Sequence, residues 1–236
     1  MPNSYFQFKQ FTVQQDRCAM KVTTDACLFG AWVSNEVESV LDIGTGTGLL
    51  TLMLAQNNPE TKILAIEIDK DAAAQAANNI NASLWKNRIE ILEADVKAFS
   101  FPEKFDLIIS NPPFYEKELR SETDTKNIAH HSENLTLKEL LNIIKSISNP
   151  GGNFFLLLPY KRNEEIKKLL KDHQLHISKM IFVRQSVKHD YFRIFLKGNL
   201  SLTAKETEFD EMSIWDEQQQ YTNEFAELLN DYYLHL

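Results

Sequence analysis

The chain has 236 residues, 43% apolar and 25% charged; this suits one large globular domain or one domain with appendages, and excludes a low-complexity or fibrous chain. The opening MPNSYFQFKQ lacks the basic start and apolar stretch of a signal peptide, no apolar run approaches the ~18 residues of a membrane span, and two cysteines, Cys18 and Cys27, give neither a disulfide framework nor a zinc pattern, so a cytoplasmic protein without membrane or metal is expected. The net charge of −8 argues against a nucleic-acid partner until its distribution is read.

Residues 1–35 precede the first strand and read as an N-terminal extension. Ser39–Ile43 is a short apolar run that ends in a glycine turn, and Gly48–Gln56 reads as a helix stopped near Asn57-Asn58-Pro59. Lys62–Ile66 is a second apolar run, and Asp69 is placed to cap an alanine-rich helix through Asn81. Arg88–Leu92 and Asp106–Ser110 are further strands; Thr136–Ile147 is an amphipathic helix that Asn149-Pro150-Gly151-Gly152 breaks. Asn153–Leu158 follows as a strand and Arg162–Asp172 as a Lys/Glu helix. Lys179–Arg184 and Tyr191–Lys197, joined by QSVKHD, read as an antiparallel hairpin at one edge. The alternation predicts an α/β fold with a mostly parallel sheet and helices on both faces, its core at 36–198 and an acidic tail at 199–236 packed on it.

Charge divides along the same line. Asn199 onward holds one basic and nine acidic residues, whereas Tyr160–Gly198 holds ten Lys and Arg against four Asp and Glu, a net of +6. Solvated helix faces explain such blocks as readily as a polyanion-facing region beside an acidic end.

Two stretches carry chemistry. The first is Asp42-Ile43-Gly44-Thr45-Gly46-Thr47-Gly48, where glycines turn the chain sharply and let a ligand approach without a Cβ in the way. The third glycine stands one residue too early for the dinucleotide pattern. The turn lies at the carboxyl end of a strand, where open α/β sheets bind ligands. Glu67, at the end of the second strand, can accept hydrogen bonds from both ribose hydroxyls, and Asp95, past the third, can reach an adenine amino group. Together they describe a nucleoside pocket, and the absence of a phosphate-binding lysine disfavours ATP.

These residues resemble the S-adenosylmethionine pocket of Rossmann-like class I methyltransferases over about Val40–Lys197. The resemblance implies a mostly parallel seven-stranded sheet with an antiparallel edge hairpin. It also implies that Asp42 and the glycines lie by the methionine part, that Glu67 binds the ribose, that Asp95 with Val96 frames the adenine, and that Ile68 also touches the cofactor.

The second stretch, Asn111-Pro112-Pro113-Phe114, follows the fourth strand. An exocyclic adenine amine is a poor nucleophile because its lone pair is delocalised. Two acceptors aimed at its N–H groups would stabilise the charge it gains on attack, an oxyanion hole of opposite sign. The Asn111 side-chain oxygen and the Pro112 carbonyl are those acceptors, the prolines stiffen the loop, and Phe114 can stack on the base. The motif resembles that of amino-methyltransferases acting on adenine, guanine or glutamine.

FKQFTVQQDRCAMKVTTDACLFGAW (8–32), VRQSVKHDYFRIFL (183–196) and QYTNEFAELLNDYYLHL (220–236) are similar to the bacterial tRNA(Val) adenine-37 N6-methyltransferases. That likeness implies a tRNA substrate and a segment around Lys21, Thr24 and Asp25 folded over the methionine end of the cofactor. Lys161, Arg162, Lys188 and Arg193 are the candidate RNA contacts, while the role of His130 and His131 stays open. A monomer is favoured. Rival readings are a release-factor glutamine methyltransferase, for whose helical N-terminal domain 35 residues are too few, a DNA adenine methyltransferase, and a cofactor-binding scaffold without turnover.

Overall fold

The computed structural model describes residues 3–18, 20–33, 37–112, 135–200 and 206–236. An N-terminal hairpin, β1 (Tyr5–Gln7) and β2 (Thr12–Gln14), leads to helix α1 (Thr24–Trp32). Then come β3 (Ser39–Ile43), α2 (Leu49–Asn57), β4 (Lys62–Glu67), α3 (Lys70–Asn81), β5 (Ile89–Glu93) and β6 (Phe105–Ser110). The C-terminal half adds α4 (Leu137–Ile147), β7 (Ser148–Pro159), α5 (Asn163–Asp172), β8 (His176–Ser186), β9 (Tyr191–Asn199), β10 (Glu208–Trp215) and α6 (Asn223–Leu229).

Two helix starts are fixed by their caps. Asp69 accepts from the Ala72 N–H and opens α3 where the sequence predicts. Thr136 and Glu139 form a reciprocal capping box at α4, whose Leu137, Leu140, Leu141 and Ile144 then fall on the buried side.

The main sheet runs β10-β8-β9-β7-β6-β3-β4-β5, and only β9 opposes its neighbours. The expected parallel sheet and antiparallel β8–β9 pair are present. The sheet has eight strands rather than seven, and the hairpin is not at the edge, because the acidic tail supplies β10 parallel to β8. Ion pairs zip this strand on: Lys179 Nζ lies 2.6 Å from Asp210 and 3.7 Å from Glu208, and Arg184 lies 3.4 Å from Glu211. A further difference concerns Asn149–Gly152. These residues do not separate helix from strand; β7 begins at Ser148 and bulges through them, pairing Phe105 with Ser148 and then Leu107 with Asn153. Gly151, at φ +79°, makes the excursion without a Cβ penalty.

One face of the sheet packs on α1, α2 and the C-terminal helix through Leu28, Phe29, Leu52, Met53, Phe195 and Phe225; the other packs on α4 and α5 through Ile108, Leu140, Phe154 and Leu196. The two ends of the chain meet on the first face, where the Tyr232 hydroxyl donates to the Met53 carbonyl at 3.0 Å and Lys9 N–H donates to the Tyr232 carbonyl at 2.8 Å. Strands β4 and β5 lie to one side of β3 and β6 and β7 to the other, so chain direction across the sheet reverses between β3 and β6. A crevice opens there at the carboxyl ends of the strands.

The Phe154 ring packs against β9 where only glycine fits. A Cβ on Gly198 would stand 2.7 Å from the His176 carbonyl oxygen and closer still to Phe154. We expect Gly198→Ala to lose roughly 1–3 kcal/mol in urea unfolding through overpacking; an unchanged midpoint would contradict this packing.

Candidate active site

At the crevice the chain encloses a cavity of ≈ 330 Å³. Its floor is the glycine turn. Gly44, Gly46 and Gly48 all have left-handed φ, at 73°, 58° and 82°. They do different work: no atom lies within 4 Å of a Cβ built on Gly44 or Gly46, both in the cavity wall, whereas one on Gly48 would meet Ala76 of α3 at 3.5 Å. Gly48 thus seats the turn on a helix and does not line the cavity.

The turn is tied to β4. Gly44 N–H donates to the Ile66 carbonyl at 2.9 Å, and Gly46 N–H donates to Glu67 Oε2 at 2.9 Å. Glu67 Oε1 accepts from Asp69 N–H at 3.0 Å, so a nearly buried carboxylate is held at the cavity wall by two backbone donors. Each of its oxygens keeps a second lone pair for a ligand hydroxyl.

Asp42 stands behind the turn, outside the cavity wall. It is fully buried; Oδ2 accepts from the Thr45 and Thr51 hydroxyls, both at 2.7 Å, and Oδ1 has no partner. Burial pushes this carboxyl up to about 6, against the pull of the two hydroxyls, with nearby Glu67 adding to the rise.

Asp95 and Val96 follow β5 and line the cavity with Ile68, which is 55% exposed. Asp95 accepts from Lys97 N–H at 2.9 Å through Oδ1, and its backbone carbonyl accepts from Ala98 and Phe99 N–H groups. At the end of β6, the Ser110 hydroxyl donates to the Ile43 carbonyl at 2.7 Å and fixes that strand end beside the glycine turn. Asn111 and Pro112 come next and line the same cavity, Pro112 buried and Asn111 half-buried. Pro113, Phe114, His130 and His131 lie outside the described residues.

The N-terminal segment closes the cavity with Cys18, Met20, Lys21, Val22 and Thr23. Thr24 does not join them. The strap is held by residues whose part was not foreseen. Asn79 Nδ2 donates to the Gln14 and Thr47 carbonyls, both at 2.9 Å, and its Oδ1 accepts from Gln14 N–H at 2.9 Å. Gln75 accepts from Arg17 N–H at 2.8 Å and donates to Asp16 at 2.7 Å. Gln15 accepts from Val22 N–H at 2.8 Å. The available signal was two amides four residues apart on a helix of small residues, which puts both on one face. Burial, with Glu67 and Asp69 nearby, pushes the Cys18 thiol up to about 11, so it stays protonated at the cavity wall.

The four candidate RNA contacts gather at the same end of the sheet: Lys161 and Arg162 after β7, Lys188 in the β8–β9 turn, Arg193 near the start of β9. Arg162 makes a two-pronged pair with Glu165 at 2.8 and 2.7 Å. Arg193 donates to Asp25 at 2.7 Å, a nearly buried partner on α1, so its guanidinium ties α1 to β9.

Among the described residues no group of three or more His, Cys, Asp or Glu side chains could hold a metal ion, and no helix is long and apolar enough to cross a membrane. The cavity does fit a nucleoside with an amino-acid arm: an open glycine cradle, a carboxylate with lone pairs to spare, and an apolar wall carrying a second acid.

The chain is similar to known proteins in sequence and in fold. The family model described as methyltransferase small domain matches residues 24–150. A protein of Bacteroides thetaiotaomicron named tRNA1(Val) (adenine(37)-N6)-methyltransferase is 38% identical over 240 residues, covering 100% of both chains. One of the same name from Yersinia enterocolitica is 38% identical over 97% of this chain and 92% of its own. A predicted O-methyltransferase from Agrobacterium tumefaciens superposes with a TM-score of 0.70 at 18% identity, covering 88% of this chain and 96% of that one, and so shares the fold.

Asp42 has a pH consequence. Its folded value of about 6 exceeds the ordinary 3.8, so between those pH values the folded chain holds the proton and the unfolded chain has released it. The contribution of Asp42 to stability therefore falls as pH rises from about 4 to about 6 and stays low above. Asp42→Asn should gain on the parent by roughly 1–3 kcal/mol across that window and by nothing more above pH 7, measured by urea unfolding at stepped pH. A difference that does not change with pH would contradict the buried, ionising carboxyl.

Proposed function

The chain belongs to the tRNA1(Val) (adenine(37)-N6)-methyltransferase family, and from that premise we propose that it methylates the exocyclic N6 amine of adenine 37 in tRNA(Val), in the cytoplasm and as a monomer, with S-adenosylmethionine as donor. The observation that carries this reading is that Asn111 and Pro112 line one cavity with Gly44, Gly46 and Glu67. Amine-recognising groups and a nucleoside cradle are thereby neighbours.

S-adenosylmethionine supplies an electrophilic methyl group on a sulfonium centre. Everything else falls to the chain. Glu67 accepts from the ribose hydroxyls, and Asp95 with Ile68 and Val96 receives the adenine of the donor. Lys21 and its neighbours in the strap keep water out. The Asn111 side-chain oxygen and the Pro112 carbonyl accept from the two N–H groups of the target amine, favouring the pyramidal form in which its lone pair is free, and they stabilise the positive charge that develops there. Their worth depends on being in place before the base arrives. The Ser110–Ile43 bond anchors the strand end from which they project, and proline fixes the next backbone angle. Phe114, by its place in the motif, stacks on the target base. No strong general base is required, because the methylated ammonium is acidic enough to give its proton to water.

A base beside an anticodon lies in a single-stranded loop, so swinging it into a pocket costs less than extracting it from a duplex. Lys161, Arg162, Lys188 and Arg193 stand at the end of the sheet from which the polymer would approach; Arg162 and Arg193 would have to share or leave their carboxylate partners to serve it.

Incubation with labelled donor and separate pools of tRNA, rRNA, DNA and protein, followed by digestion, should place the label on N6-methyladenine from tRNA alone. Label in another pool, or on another atom, would refute the assignment. Asn111→Ala should keep the parent's affinity for S-adenosylhomocysteine while turnover drops by about 100-fold or more, as loss of one transition-state hydrogen-bond partner does; unchanged turnover would remove Asn111 from the mechanism.

A further inference from the structure

We propose that Tyr160 and Tyr191, with Arg184 and Lys188 beside them, form a stacking platform on the rim of the active site that takes an unpaired RNA base close to the one methylated. This rests on the reading of the protein as an RNA methyltransferase. The placement follows from register. Ser110 pairs with Leu156, so Asn111 is level with Leu157, and β7 runs on to Pro159 before Tyr160. Tyr160 therefore stands on the strand next to that of Asn111, about 4.8 Å across and about 10 Å further out along the chain direction. Tyr191 opens β9, the strand beyond β7, and pairs with Arg184 of β8.

The rings form a cluster. Tyr160 and Tyr191 have centroids 5.1 Å apart, and Phe182 lies 5.4 Å from the first and 5.7 Å from the second. Tyr160 and Phe182 press on the core beneath α4 and α5, but Tyr191 belongs to neither core and remains half-exposed. The Arg184 guanidinium lies 5.5 Å from its ring centroid, and Arg184 in turn pairs with Glu211 at 3.4 Å. The ring is thus held by Arg184 and its aromatic neighbours and keeps part of its surface exposed. Lys188 stands exposed on the adjoining turn, which Ser186 pins by accepting Lys188 N–H at 3.3 Å and bonding His189 at 2.7 Å.

A fixed aromatic face beside cations is the chemistry that single-stranded nucleic acid asks for, since every base has a π face and every linkage a phosphate. The segment from Tyr160 to Gly198 carries a net charge of +6 and sets Arg184 and Lys188 beside the rings, which favours a polyanion over a protein partner.

The test is steady-state kinetics of full-length Tyr191→Ala, Tyr160→Ala and Tyr191→Phe on an unmodified valine tRNA transcript, with thermal melts as a folding check. Stacking is worth enough that each alanine variant should raise KM for the transcript roughly tenfold. Turnover at saturation and affinity for S-adenosylhomocysteine should stay at the parent's level. Tyr191→Phe keeps the ring and loses only the hydroxyl, so it should match the parent. Should Tyr160→Ala fail to fold, Tyr191→Ala, outside both cores, decides. Alanine variants with the parent's KM, or a phenylalanine variant as impaired as alanine, would overturn the platform while leaving the methyltransferase reading standing; a parent that methylates no RNA would overturn both.

Discussion

The site is built around one carboxylate. Glu67 receives an N–H from the turn after β3 and another from the start of α3, so two loops that leave neighbouring strands are held at one point. The turn can offer that N–H because its glycines adopt left-handed angles that other residues adopt only rarely. Gly46 spends its donor inward on Glu67 while its Cα side faces open space, and a ligand can lie against it. Glu67 thereby has two duties, to shape the cradle and to present free lone pairs within it. Loss of the carboxylate would be felt as disorder of the turn as well as loss of a ligand contact.

Closing the cavity depends on distant residues. Asn79 satisfies both backbone groups of Gln14 and the carbonyl of Thr47, which locks strap, helix and glycine turn together. Its amide is 2% exposed, so each bond it makes is one that water cannot replace. The acidic tail has a comparable role on the far edge. Its strand pairs with β8, and its carboxylates meet Lys179 and Arg184, which turns two residues of the basic segment into part of the sheet. Lys161 and Lys188 of the same segment stand at the end of the sheet that carries the cavity.

The local chemistry of the site was legible. A strand, a glycine turn, a helix and acids at successive strand ends are each written in a few adjacent residues, and β3 and α3 stand where their patterns place them. What required tertiary contact was not. The three-residue strands β1 and β2 are too short to show a period, and β10 reads as an acidic tail until the cations across from it are known. Asn149–Gly152 has the composition of a break, yet the ladder passes through it because a bulge absorbs the extra residues. Among the site residues, Asp42, Gly48 and Thr24 belong to motifs that touch the cavity without lining it. Asp42 turns inward because its two hydroxyl donors sit under the turn, and Gly48 because α3 passes over it. Arg193 was read as a phosphate contact from local charge; its partner Asp25 is 168 positions away, beyond the reach of any local pattern.

The central claim is that the glycine cradle and Asn111, neighbours in the wall of a single cavity, serve one reaction. The most direct measurement is a crystal structure of the protein with S-adenosylhomocysteine. The account predicts ribose hydroxyls within hydrogen-bonding distance of Glu67 and the Asn111 side chain on the same side as the sulfur. A ligand bound with its sulfur end turned away from residue 111, or bound outside this cavity, would contradict it.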